Sequence, residues 1–153
     1  MSPKSNNLPS AISEKESAFS AKAKPAYDLA GQVIGLAMKV HRTLGFGFLE
    51  SVYQKALLYE IAKAGLKVES DRLIQVKYES VIVGDFKADL LVNDELIVEL
   101  KAVSNTVIEH EIQLVNYLAA TGKEIGLLIN FGARSLEFKK KFRNPKPEDV
   151  SQH

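Results

Sequence analysis

The stretch that decides the fold runs from Ala88 to Lys101 and reads ADLLVNDELIVELK. Two apolar runs flank the short Asn93-Asp94 turn, and this pattern predicts a pair of adjacent β-strands joined as a hairpin. Because side chains alternate along a strand, Glu99 and Lys101 project from one face, and strand pairing brings Asp89 beside Glu99. We therefore expect two carboxylates and a lysine to meet on one patch next to an apolar core.

Two carboxylates and one ammonium group form the set that metal-assisted phosphodiester cleavage needs. The carboxylates of Asp89 and Glu99 suit Mg²⁺ or Mn²⁺, and Lys101 can orient or deprotonate the attacking water and stabilise charge on the phosphate. The carbonyl oxygen of Leu100 is a further candidate ligand. A solvated strand face with an ordinary cross-strand Glu–Lys pair has the same three residue types, so the surrounding sequence has to separate the two interpretations.

Composition restricts the class of protein and the kind of metal site. The chain has 153 residues, enough for one domain with one hydrophobic core. It has no cysteine and three histidines, which excludes thiolate zinc sites and disfavours a His-rich one. Its 20 basic and 19 acidic residues argue against binding nucleic acid through a broad basic field. No apolar run is long enough to span a bilayer and no signal peptide is recognisable, so we expect a cytoplasmic location.

The periodicity of apolar residues predicts the element order ααβββαββ. The predicted helices cover residues 27–44, 49–64 and 108–121, and the predicted strands cover residues 68–78, 81–92, 96–103, 125–131 and 135–142. This order predicts an α/β domain in which helices flank a mixed β-sheet, with a restriction-endonuclease-like outline.

Composition also divides the chain into three parts. Residues 1–25 are rich in small and polar residues and predict a disordered leader. Residues 26–143 form the predicted α/β domain, and residues 144–153 form a polar tail.

Helical spacing predicts which face of each helix is buried. In the second helix, the buried residues are expected to be Leu49, Val52, Tyr53, Ala56, Leu57 and Ile61. In the third helix, they are expected to be Ile108, Ile112, Val115 and Leu118.

Glu50 lies at the rim of the buried stripe of the second helix, where an acid needs a partner. A metal held by Asp89 and Glu99 is one candidate partner, and a lysine, a backbone group or the helix N-terminus is the alternative. Glu60 lies in the same arc about 15 Å further along the helix, so both acids cannot reach one ion. Glu50 is preferred because it follows a Gly-Phe-Gly loop and can border an open cleft.

The third helix carries His110, Gln113 and Tyr117 as one polar stripe. Gln113 and Tyr117 can hydrogen-bond a phosphate, the attacking water or Lys101. Tyr117 is equally compatible with a half-buried aromatic that has no catalytic role.

Other polar residues have two interpretations each. His41, near the end of the first helix, is a candidate metal ligand or a helix-end histidine favoured by the helix dipole. The late basic cluster is a candidate phosphate contact or a solvated edge strand that discourages aggregation. It comprises Lys139, Lys140, Lys141 and Arg143.

Five motifs occur in order along the chain: GFLESVY at 47–53, ADLLV at 88–92, VELKA at 98–102, QLVNYL at 113–118 and LLINFG at 127–132. Together they resemble the GxxExxY protein family, which is grouped with the PD-(D/E)XK nuclease superfamily. The resemblance implies that Asp89 is the motif aspartate, Glu99 the second acid and Lys101 the motif lysine. It also implies that Gln113 and Tyr117 form the Gln-x-x-x-Tyr element of RecB-like nucleases.

The same resemblance implies that Glu50 is the helical acid that completes the metal site. Ala88 is a departure, since it stands where a proline gives the superfamily its name. The function implied is a Mg²⁺- or Mn²⁺-dependent nuclease acting on DNA. The competing hypothesis is a non-catalytic domain that binds nucleic acid or a protein partner, which the near-neutral charge and small size favour. A homodimer or a protein partner could supply additional binding surface in either case.

Overall fold

The structure is a computed structural model that describes residues 25–143, with side chains described for residues 29–143. The predicted tail and the predicted leader lie outside the described residues, apart from Pro25, which begins the first helix. Nothing in the structure tests those two predictions.

Three helices and five strands follow one another in the predicted order, which is confirmed. They are α1 (Pro25–Leu44), α2 (Glu50–Lys63), β1 (Val68–Tyr78), β2 (Val81–Val92), β3 (Leu96–Lys101), α3 (Ile108–Thr121), β4 (Ile125–Asn130) and β5 (Glu137–Phe142). Within residues 25–143, none of the helices is long and apolar enough to cross a membrane.

The five strands form one mixed sheet in the order β1-β2-β3-β4-β5. Neighbours pair antiparallel except β3 and β4, which are parallel and connected through α3. Strand β2 pairs with β3 over three residues only, from Leu90 opposite Val98 to Val92 opposite Leu96. The regular ladder between β2 and β3 therefore ends one residue short of Asp89 and Glu99. We call the place at Asp89 and Glu99, where the two strands separate, the notch.

Helices cover both faces of the sheet. The face packed against α1 and α2 includes the buried residues Tyr53, Leu57 and Ile61 of α2. The face packed against α3 includes Leu114 and Leu118. All six residues of β4 are buried, as expected for a central strand covered on both sides.

The predicted buried faces of α2 and α3 were partly wrong. Leu49 is 75% exposed because it is the extended residue that precedes α2 and does not lie on the helix face. In α3, Ile108 and Ile112 are exposed, and Leu114 is buried in their place. Leu114 packs directly over Gly126 of β4, where an added Cβ would lie 2.9 Å from its Cδ1 atom. The lack of a side chain at Gly126 thus leaves room for Leu114, and this contact determines which face of α3 packs on the sheet.

The alternatives for His41 and the basic cluster are resolved by contacts. His41 is buried, and its Nε2 donates a hydrogen bond to the carbonyl of Ala133 at 2.9 Å. It therefore ties α1 to the loop after β4, and this contact favours a structural role for His41 over that of a metal ligand.

Acidic partners likewise account for cations in the late basic cluster. Lys139 and Lys141 both contact the Glu111 carboxylate of α3, at 3.6 and 3.0 Å. Arg143 pairs with Glu124 at 2.7 Å. These ion pairs favour the interpretation of an edge strand over that of a free phosphate patch.

Gly132 is expected to tolerate no side chain, because a Cβ there would lie 2.3 Å from both the backbone N and O of Val103. We expect Gly132→Ala to lower the free energy of unfolding by about 3 kcal/mol, since rigid backbone must shift. The matched control is Gly84→Ala in β2, where an added Cβ meets nothing within 4 Å. Urea unfolding measures both variants, and equal midpoints would contradict the close approach of Gly132 to Val103.

Candidate active site

Asp89 and Glu99 are interlocked where β2 and β3 separate. The backbone N–H of Asp89 donates to Oε1 of Glu99 at 3.1 Å, and the backbone N–H of Leu100 donates to Oδ2 of Asp89 at 2.7 Å. Each carboxylate thus accepts an N–H from the opposite strand, at the point where the regular ladder has ended. The structure brings together the two acids that hairpin pairing predicted to be neighbours.

The carbonyl of Leu100 faces the same notch. In an extended strand, the N–H and C=O of one residue point to the same side, and the N–H of Leu100 points at Asp89. The next carbonyl, that of Lys101, points the other way and accepts a hydrogen bond from the N–H of Phe131 at 2.8 Å. The carbonyl oxygen of Leu100 is therefore directed toward β2, the strand that carries Asp89.

The acidic groups of the notch are incompletely neutralised. Burial raises the pKa of Glu99 to about 8, and the charge of Asp89 adds to the effect against the opposing influence of Lys101. Burial likewise raises the pKa of Asp89. Lys101 is half-buried and close enough to favour the ionised acids, yet within the described residues it makes no ion pair or hydrogen bond through its ammonium group. Two carboxyl groups therefore share the site with one ammonium group, and the pKa values of both carboxyl groups stay raised despite it.

Glu50 belongs to the same electrostatic cluster. It is the first residue of α2, and its pKa is raised by loss of hydration and by Asp89, with Lys101 acting in the opposite direction. Its side chain is exposed, so it borders the notch from outside. Glu60 pairs instead with Lys39 at 3.1 Å. The preference for Glu50 over Glu60 agrees with these contacts.

Tyr53 fixes the loop that leads into Glu50. Its hydroxyl donates to the carbonyl of Gly45 at 2.6 Å and accepts from the N–H of Phe48 at 3.2 Å, and its ring stacks on Phe131 at 4.6 Å. Gly47 has φ of +110°, a conformation that is strained for residues with a side chain. The three residues of the GxxExxY pattern thus have different roles in this segment. Gly47 allows the loop conformation, Glu50 supplies an acid, and Tyr53 holds the loop in place.

Tyr53→Phe is expected to loosen this loop while preserving the ring stack. The change removes both hydrogen bonds of the hydroxyl, and we expect a loss of about 1–2 kcal/mol in the free energy of unfolding. Hydrogen exchange of the Phe48 amide should accelerate as well, and mass spectrometry or NMR measures it. The matched control is Tyr59→Phe, on an exposed position of the same helix. Unchanged Phe48 exchange would contradict the role assigned to the Tyr53 hydroxyl.

Gln113 and Tyr117 lie on the helix that covers the same face of the sheet. Ile97 of β3 packs with Leu114 and Leu118 of α3. Because side chains alternate along a strand, Glu99 and Lys101 project from the same face of the sheet as Ile97. The ring of Tyr117 stacks on Phe86 at 3.7 Å, whereas Gln113 is exposed. Within the described residues, neither side chain hydrogen-bonds Asp89, Glu99 or Lys101. The roles of Gln113 and Tyr117 in contacting a phosphate stay predictions. The packing of Tyr117 is that of a half-buried aromatic residue.

His110 serves the start of α3. Its Nδ1 accepts a long hydrogen bond of 3.5 Å from the backbone N–H of Val107. The remainder of the polar stripe predicted for this helix therefore consists of Gln113 and Tyr117.

Gln54 is a site residue that the sequence analysis missed. Its Nε2 donates to the backbone carbonyl of Asp89 at 2.9 Å and to Oδ1 of Asp71 at 3.2 Å. It thereby holds the β2 backbone at the residue that carries the acid. The spacing could have indicated it, because Gln54 lies four residues after Glu50 and so on the same helix face.

Asn130 is a second missed residue. It is buried, its Oδ1 accepts from the N–H groups of Val103 and Gly132 at 3.0 Å, and its Nδ2 donates to the carbonyl of Val103 at 2.9 Å. Asn130 pairs with Lys101 in the parallel ladder. It fixes the chain just beyond Lys101, and a polar residue ending a fully apolar strand was the available signal.

The donor set fits a hard divalent cation. Among the described residues, no three His, Asp or Glu side chains form a ready ligand group for a metal. Two carboxylates and a carbonyl would be a partial set, which suits Mg²⁺ because this ion commonly retains waters and takes oxygen atoms from phosphate. The unbalanced acidity of Asp89 and Glu99 favours the same type of ion, and hard oxygen donors disfavour a soft-metal site.

The mixed five-stranded sheet flanked by helices, in the order ααβββαββ, is a restriction-endonuclease-like α/β fold. The family model described as the PD-(D/E)XK nuclease superfamily matches residues 27–142. The chain belongs to the PD-(D/E)XK nuclease superfamily.

A solved structure entitled "Crystal structure of SSO0001" is similar to this chain, with a TM-score of 0.51 and 14% sequence identity. The alignment covers 67% of this chain and 55% of that chain, so this chain matches little more than half of that protein's length. At this identity the likeness shows the fold alone. No curated protein matches the sequence significantly.

Proposed function

We propose that this protein is a divalent-metal-dependent nuclease that hydrolyses phosphodiester bonds in DNA. The observation that carries the proposal is the interlocked pair of Asp89 and Glu99, two carboxyl groups whose pKa values burial raises despite the nearby Lys101. Folding around buried, poorly neutralised carboxylates is costly. A site of this kind is expected where a cation is bound during function.

Asp89, Glu99 and the Leu100 carbonyl would hold Mg²⁺ or Mn²⁺, with Glu50 completing the acidic rim. The ion, when bound, supplies positive charge at the phosphate and increases the acidity of water. Gln54 keeps the Asp89 backbone in place, and Asn130 does the same for the segment after Lys101. The ligands are therefore positioned by rigid elements before substrate arrives.

Lys101 would act on the attacking water and on the phosphate. Its ammonium group has three N–H donors and makes no hydrogen bond or ion pair among the described residues, so it is available to both. In the hydrolysis, the water oxygen forms a bond to phosphorus, and the bond from phosphorus to the leaving sugar oxygen breaks. The attacking water releases a proton to solvent, and the leaving oxygen takes one from solvent, so the hydrolysis consumes one water.

Gln113 and Tyr117 are proposed to steady the phosphate or Lys101 once substrate is bound. They are one helical turn apart on α3, which covers the face that carries Glu99 and Lys101. Tyr117 is held by its stack on Phe86, while exposed Gln113 can reorient at small cost.

A non-catalytic domain that binds nucleic acid or a protein is the second candidate. The balance of 20 basic and 19 acidic residues favours it, since it gives little general attraction for phosphate. Incubating labelled single- and double-stranded DNA with the protein in Mg²⁺, Mn²⁺ or EDTA separates the candidates. Cleavage that requires the metal supports the nuclease, and binding without cleavage under any of these conditions supports the alternative.

Lys101→Met is expected to separate catalysis from metal binding. The change removes the ammonium group and leaves the carboxylates in place, so cleavage should fall by about a hundredfold or more while Mn²⁺ binding persists. Lys55→Met, at an exposed position of α2, is the matched control. Initial rates and calorimetry measure the two properties, and full activity in Lys101→Met would contradict the role of Lys101.

A further inference from the structure

Large apolar side chains are exposed directly beside Glu50. We call residues 45–49 the aromatic loop, because they connect α1 to α2 and carry Phe46 and Phe48. Phe46 is 54% exposed, Phe48 is 48% exposed and Leu49 is 75% exposed. Exposed apolar groups clustered in this way are typical of a contact surface.

The aromatic loop is held in one conformation by internal bonds. The Tyr53 hydroxyl binds the backbone of Gly45 and Phe48, and the Tyr53 ring meets the Phe48 ring edge-on at 6.1 Å. The N–H of Gly45 donates to the carbonyl of His41 at 2.8 Å. A preorganised surface loses little conformational freedom on binding, and these contacts fix the loop backbone and the Phe48 ring.

The position of the aromatic loop places it at the border of the candidate active site. Leu49 is followed by Glu50, whose side chain is electrostatically coupled to Asp89 and Lys101. The aromatic loop therefore ends at an acid that belongs to the electrostatic cluster of the candidate site.

The chemistry of the aromatic loop matches a base better than a phosphate. It has no charged residue, and the whole chain has a net charge of only +1. Stacking on aromatic rings suits any base, because every base has a π-face. Within a duplex those faces are covered by neighbouring base pairs, so an unpaired base is the accessible partner.

We propose that Phe46 and Phe48 stack on an unpaired base next to the phosphate held in the notch, so that the site prefers single-stranded nucleic acid to duplex. This inference rests on the proposed function for the identity of the ligand. It adds the substrate class and the residues that select it.

The test measures binding separately from cleavage. The full chain is titrated, in Ca²⁺, with a single-stranded oligodeoxynucleotide containing 2-aminopurine and with the same oligonucleotide annealed to its complement. Gel analysis verifies that both remain intact. The variants are Phe46→Ala, Phe48→Ala and their combination, and the control is Phe142→Ala, an equally exposed phenylalanine on β5.

We expect wild type to bind the single strand more tightly than the duplex and to quench its 2-aminopurine fluorescence. The double variant should lose about tenfold or more in single-strand affinity together with the quenching, whereas Phe142→Ala should match wild type. Thermal unfolding establishes that each variant is folded.

Single-strand affinity unchanged in the folded double variant would overturn the inference, as would equal affinity of wild type for duplex or no binding of the single strand. The two proposals fail separately. Phenylalanine-dependent binding without cleavage in Mg²⁺ or Mn²⁺ would leave the inference standing and remove the nuclease. Metal-dependent cleavage together with binding that does not depend on the two phenylalanines would support the nuclease and overturn the inference.

Discussion

Asp89→Asn is expected to reduce DNA cleavage by about a thousandfold or more without unfolding the protein. The amide oxygen can still accept the N–H of Leu100, as Oδ2 of Asp89 does at 2.7 Å, so the β2–β3 junction should persist. The negative charge and one strong metal ligand are lost, and such a loss removes several kcal/mol of transition-state stabilisation. Initial rates on DNA in Mn²⁺ measure the effect, with circular dichroism as a measure of folding.

Asp85→Asn is the matched control for that experiment. Asp85 is an exposed acid on the same strand, four residues before Asp89, and it lies outside the notch. We expect its cleavage rate to stay within about twofold of wild type, as for most surface substitutions. Folded Asp89→Asn with wild-type activity would show that the reaction does not depend on this carboxylate.

Glu99→Gln is expected to stabilise the metal-free protein at alkaline pH by on the order of 3 kcal/mol. Glutamine retains an oxygen that can accept the N–H of Asp89, which Oε1 of Glu99 accepts at 3.1 Å. It removes a carboxyl group whose pKa burial raises to about 8. Urea unfolding in EDTA at about pH 5 and pH 9 measures the difference between wild type and variant.

The direction of the pH dependence of the free energy of unfolding follows from the protonation of Glu99 in the folded and unfolded states. Below about pH 4.5 the carboxyl is protonated in both the folded and unfolded states, and Glu99 contributes nothing to the pH dependence. Between that pH and about 8, the unfolded chain ionises first, so the free energy of unfolding of wild type falls as pH rises and then levels off. Glu99→Gln lacks this decline. A difference between the two proteins that is the same at both pH values would contradict the buried acid.

Much of the fold could be predicted from patterns within single elements, such as the alternation of apolar residues and the residues that form turns and helix ends. The alternation and turn around Asn93 predicted the hairpin, and with it the meeting of Asp89 and Glu99. Positive φ at Asn93 and Asp94 is compatible with the short turn that the sequence indicated. Helix α3 was predicted with its observed limits because Gly122 ends it in the left-handed conformation.

The parts that could not be predicted depend on contacts between distant residues. The buried face of α3 is set by Gly126, a residue of a different element, which admits Leu114. Helical spacing alone therefore selected Ile112 wrongly. Similarly, the role of Gln54 depends on reaching the carbonyl of Asp89, 35 residues away in sequence. Patterns within one element do not reveal such contacts.

Calorimetric titration of the metal-free protein with Mn²⁺ tests the central claim most directly. We predict saturable binding by wild type, by Lys101→Met and by Asp85→Asn, and binding weakened by at least about tenfold in Asp89→Asn and Glu99→Gln, because each of these two loses a charged ligand. No saturable binding by folded wild type, or wild-type affinity in both carboxylate variants, would contradict a metal site formed by Asp89 and Glu99.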